Sequence, residues 1–167
     1  MSMIANYIRL RPEELEALVR NPPPIVEFLH AKDEELANFP QDERQLDIDK
    51  TWHALNYLLT GDPWEGDPPL ANVVLGGTEL GEEDVGWGPA RYLTQEQVRE
   101  VAAALESMPM DELRRRYHPD DLEKADIYPS IWRDDDALDY VLFYYEDVRR
   151  FFRSAAEAGD CALLFLN

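Results

Sequence analysis

The sequence predicts an α+β fold: one compact domain over residues 1–167, with several helices packed around a small sheet that includes the N- and C-terminal strands. Three observations predict it. Ile4, Ile8 and Leu10 share one parity, the alternation of a short strand. Cys161–Leu166 is an apolar run of strand length, of the kind buried on both faces, and the N-terminal strand is its simplest partner. Between the two, apolar residues recur at helical spacing in several segments bounded by start and stop signals.

Pro12 opens the first helix, where a missing amide proton costs nothing, and Leu15, Leu18 and Val19 mark its inner side. Pro22, Pro23 and Pro24 end it. A second helix carries Ile25, Phe28, Leu29 and Leu36. Asp49 is placed to cap a third, with Trp52, Leu55, Leu58 and Leu59 inward and Gly61 as its stop. Residues 61–69 hold two glycines and three prolines and read as a loop. The glycine-rich stretch to residue 93 reads as a helical turn near Leu70–Leu75, a glycine turn, and a short strand at Ala90–Leu93. The sharpest boundary follows: Thr94 with Gln97 makes a capping box, and Leu93 with Val98 a hydrophobic staple. Val98, Val101, Ala102 and Leu105 trace that helix's face until Pro109. Asp111–Tyr117 is a short charged helix. The last helix runs from about Asp135 to Ala158, with Leu138, Val141, Leu142, Tyr145, Val148 and Phe152 as its buried stripe. Phe143, Tyr144 and Phe151 widen the stripe, and Gly159 suits the position after the helix.

Thirty-five Asp and Glu against 16 Lys and Arg leave a formal net charge of −19. Such a surface repels phosphate backbones, which argues against nucleic acid. It suits solubility, or a basic protein partner, because charge steers association. No apolar run approaches a membrane span. One cysteine, Cys161, forbids an intrachain disulfide, and with three scattered histidines it leaves no zinc-ligand spacing. No metal and no cofactor is expected. Residues 1–30 lack the charged-then-apolar pattern of a secretory signal, so the expected compartment is the cytoplasm.

Motifs that carry chemistry are few. Tyr117-His118-Pro119-Asp120 is similar to the His-Pro-Asp loop of J-domain co-chaperones, but Pro129 interrupts the helix that should follow, and a helix-to-helix turn explains it better. Gly76, Gly77, Gly81, Gly86 and Gly88 lack the Lys-Ser/Thr of a phosphate loop, and the acids among them would repel phosphate. No serine stands in a Gly-x-Ser-x-Gly elbow, and Cys161 lies in an apolar strand where thiols are inert. His53, beside Trp52, is the type of group that serves as a general base, with Asp49 and Lys50 at the same helix start. In Gly86-Trp87-Gly88-Pro89-Ala90-Arg91, the glycines shape an aromatic surface and Arg91 is a natural anchor for an internal carboxylate or for an anionic ligand.

Several segments then fall into a familiar order: Leu46-Asp47-Ile48-Asp49-Lys50-Thr51-Trp52, Leu58-Leu59-Thr60-Gly61, the run from Pro69 to Gly77, the run from Gly86 to Thr94, and Ile127-Tyr128-Pro129 with Trp132. In this order they resemble the YfbM-like family, a bacterial domain family of unknown function, over essentially the whole chain. The resemblance implies a compact α+β domain and no established activity. It also places a histidine at the position of Asn56 in many members, and its replacement here counts against an enzyme.

The leading functional expectation is a non-enzymatic protein-binding module, of interaction or immunity/inhibitor type, whose acidic surface engages a basic partner. The alternative is a small-molecule-binding protein or hydrolase. Its polar-aromatic pocket would gather Asp49, Lys50, Trp52, His53, Trp87, Arg91, Tyr128 and Trp132, and requires Arg91 near Asp49 and His53. A third reading has these segments simply closing the core.

Overall fold

The structure, a computed structural model, describes residues 2–37 and 44–167. Alternation along β1 (Ala5–Leu10) sends Ala5 and Tyr7 to one side of the sheet, Ile8 and Leu10 to the other, and both sides are buried. Two helices follow, α1 (Pro12–Arg20) and α2 (Ile25–Ala37), covering the second side with Leu15, Leu18, Ile25 and Leu36. β2 (Gln45–Asp47) returns beside β1, and a 3-10 turn at Asp49–Thr51 leads into α3 (Trp52–Thr60). A second one-turn helix spans Leu70–Asn72. β3 (Thr78–Asp84) and β4 (Pro89–Leu93) form a hairpin. Then come α4 (Gln95–Glu106), α5 (Met110–Arg116), α6 (Pro119–Lys124), α7 (Ala137–Ala158) and β5 (Cys161–Leu166).

The strands form one antiparallel sheet in the order β2-β1-β5-β4-β3. The first and last strands pair as the sequence predicts. Beyond their ends the Ile4 N–H donates to the Asn167 carbonyl at 2.8 Å, and the Asn167 N–H to the Ile4 carbonyl at 3.0 Å. Helices cover both faces, so a central strand must be apolar at both parities. That is why Cys161–Phe165 reads as an unbroken apolar run: Ala162 and Leu164 join the core of α3, α4 and α7, while Leu163 and Phe165 join that of α1 and α2.

Local signals hold at most helix ends. Thr94 Oγ1 accepts from the Gln97 N–H at 3.2 Å, and Gln97 Oε1 from the Thr94 N–H at 2.9 Å. Gly61 and Gly159 end their helices at φ of 82° and 72°. Pro119 opens α6, so the His-Pro-Asp segment is a helix-to-helix turn.

Three expectations change. Asp49 does not cap α3: its backbone stands at φ 50°, and its carboxylate accepts from the Tyr140 hydroxyl at 2.7 Å. The stretch Thr78–Asp84 is an edge strand, not a glycine turn; apart from Leu80 its side chains are exposed, so no apolar alternation marks it. Phe143 does not widen the buried stripe of α7. At about 100° per residue it points nearly opposite to Val141, Tyr145 and Val148, and it is 65% exposed.

Candidate functional site

Three of the eight nominated residues meet. The start of α3 buries Trp52 and His53, whose rings stack at 4.8 Å between centroids and 15° between planes. Tyr128 stacks on the other partner, Trp52, at 5.9 Å. His53 is 1% exposed. Its Nδ1 accepts the Tyr128 backbone N–H at 2.9 Å, which puts the ring's own proton on Nε2, for which no hydrogen bond is formed among the described residues. Trp64, from the loop after α3, lies 4.3 Å from the imidazole and is 62% exposed. Burial holds the His53 pKa below its usual value, against an opposing pull from the Pro63 carbonyl and Asp126. A general base needs a free lone pair. Here the lone pair is spent on a backbone amide.

The other five serve local networks. The Trp132 indole donates to the Ile127 carbonyl at 2.8 Å, and its own carbonyl accepts from the Tyr117 hydroxyl at 2.7 Å, locking the turn after α6. The Tyr140 hydroxyl of α7 donates to Asp49 and accepts the Lys50 N–H at 3.2 Å, tying the start of α3 to α7. Burial, then the Asp49 carboxylate, push the Tyr140 hydroxyl well above its usual pKa. Arg91 on β4 is half-buried, and its Nη1 donates to the carbonyls of Val74 and Gly76, both at 3.0 Å. Desolvation lowers its pKa, while Tyr7 and Glu79 oppose that. Trp87 stands at the β3–β4 hairpin, 46% exposed, with its N–H donated to the Leu166 carbonyl. Among the described residues, no hydrogen bond or ion pair joins Arg91 to Asp49, Lys50 or His53.

Open space lies elsewhere. A groove of about 770 Å³ runs between α2 and α7 across β2. Leu29 and Asp33 line it from α2, Leu46 and Asp47 from β2, Phe143 and Asp147 from α7. Asp147 accepts from Arg150 Nη1 at 3.1 Å. The sequence signal for this groove was the helical angle of Phe143, opposite the buried stripe. Among the described residues, no group of three or more His, Cys, Asp or Glu side chains converges to hold a metal, and no helix is long and apolar enough to cross a membrane. Cys161 is buried, which raises its thiol pKa.

Known proteins agree with this architecture. Residues 1–165 match the family model described as Domain of unknown function (DUF1877). Protein YfbM of Escherichia coli (strain K12) is 31% identical over 139 residues, which span 78% of this chain and 75% of that protein. The crystal structure of YfbM from Escherichia coli, a protein of unknown function, has the same fold: TM-score 0.71 at 24% identity, covering 98% of this chain and 99% of that one. Match and geometry together place the chain in the DUF1877 family, the family of YfbM.

Proposed function

We propose that this chain is a non-enzymatic protein-binding module, an interaction or inhibitor-type protein that engages a basic partner through the groove between α2 and α7. One observation carries the reading: Phe143, 65% exposed, stands with Asp33, Asp47 and Asp147 around an open groove on a chain of net charge −19. An exposed phenylalanine forgoes about 1.5–3 kcal/mol of burial that a partner would restore. Aromatic side chains ringed by polar groups are what protein interfaces use as anchors. The acidic field speeds the approach of a cationic partner and disfavours anionic ones. The small-molecule pocket has less support, because the lone pair of His53 and the Nη1 of Arg91 already serve backbone groups.

Affinity capture from host lysate, comparing wild type with Phe143→Glu, tests this. The reading expects a stoichiometric basic protein retained by wild type, lost by the variant, and released above about 0.5 M salt, where the Debye length is a few ångström. A partner held equally by the variant, or indifferent to salt, overturns it.

A further inference from the structure

Resting on that protein-binding reading, we infer the partner's form: an extended, arginine- or lysine-bearing segment that adds as a strand to β2, with Arg150 keeping its cation's seat in the free protein. The register carries the first part. Among the described strands β2 is an edge of the sheet, with Leu46 opposite Tyr7. The Arg9 N–H donates to the Arg44 carbonyl at 2.7 Å, and the Ile48 N–H to the Ala5 carbonyl at 3.0 Å. Bonded positions alternate in an antiparallel ladder. Residues 44, 46 and 48 therefore face β1, and the N–H and C=O groups of Gln45 and Asp47 face away from the sheet. Both residues line the groove. Its wall thus carries backbone donors and acceptors at the repeat of an extended chain, which is what strand addition recognises.

Charge carries the second part. An added strand sends alternate side chains to opposite faces. One face meets α7 with Phe143 and Asp147, the other α2 with Asp33, so a carboxylate awaits cations at either parity. In the free protein Arg150, itself a lining residue, bonds Asp147 at 3.1 Å and reaches to within 3.8 Å of Glu146. It occupies the position a partner's guanidinium would take. The opposite edge, β3, has a register shift between Glu79 and Asp84, a device that discourages strand addition.

The probe is a capped ten-residue peptide alternating arginine and valine, bound to the full chain. Its control is the same peptide N-methylated through its central six residues, which keeps the charge and removes the strand's donors. Expected are slowed amide exchange at Gln45 and Asp47 and at least about tenfold weaker binding of the control. Asp147→Asn should weaken the peptide, and Arg150→Ala should tighten it by about two- to fivefold, the worth of an exposed ion pair. If the control binds equally, or those two amides are unchanged, strand addition is overturned while the groove remains an acidic site for cationic side chains. If the peptide fails to bind yet a Phe143-dependent partner is captured from lysate, strand addition falls and the protein-binding reading stands. Failure of both overturns both.

Discussion

The Tyr128 amide proton rests on Nδ1 of His53, so protonating that nitrogen would set two donors face to face in a buried place. The pH dependence follows. The unfolded chain takes up a proton on this histidine near pH 6.5, and the folded chain does so at lower pH because burial penalises the cation. Below about pH 6.5 the unfolded state binds more protons, so stability falls as pH drops through that window. His53→Gln keeps an acceptor for the amide without titrating. The wild-type Tm is expected to fall more than the variant's between about pH 7 and pH 5.5; parallel slopes would clear His53 of the effect. Sequence singled out His53 by type and by its neighbour Trp52. What it could not show was that the lone pair is taken, because the donor lies 75 positions along the chain, beyond the reach of any local pattern.

Arg91 acts on a whole element, the segment from Leu70 to Gly77. The Tyr7 hydroxyl donates to the Val73 carbonyl at 2.7 Å, Arg91 serves those of Val74 and Gly76, and Asn72 Oδ1 accepts the Gly77 N–H at 3.2 Å. The turn is so tight that a Cβ on Gly76 would sit 2.3 Å from Asn72 Oδ1 and 2.6 Å from the Ala71 carbonyl. Removing Arg91 strands two carbonyls, at a cost of about 1–3 kcal/mol, or about 2–4 °C in Tm for each kcal/mol in a chain of this size. Arg91→Ala is therefore expected to lower the urea midpoint while binding cationic peptide within about twofold of wild type; lost binding at unchanged stability would restore it as a ligand anchor. Elements with strong local signals were legible in sequence: the capped α4, the long α7, and the central β5. The edge strands were not. β2 has three residues, too few for alternation to show, and β3 buries a single side chain.

Over the whole molecule, salt has two opposed effects. Self-repulsion of a −19 chain disfavours the compact state, while the same field attracts a basic partner. Raising salt from about 0.02 M to about 0.3 M shortens the range of both. The free protein's Tm is expected to rise over that interval as its affinity for a cationic peptide falls. Two changes of the same sign would place the binding energy outside the acidic surface. The charge was plain from composition. The groove was not, because α7 begins 100 positions after α2 ends and a fold is needed to face Asp33 toward Phe143.

The central position of β5 also sets an order on birth. Translation delivers β1, β2, β3 and β4 first, yet among the described strands β5 alone bridges the two pairs. At about 5–20 residues per second, the inner edges of both half-sheets wait several seconds for the ribosome to supply residues 161–166. A chain that stops before Cys161 lacks the strand that pairs with both β1 and β4, so among the described strands no ladder joins the two pairs into one sheet.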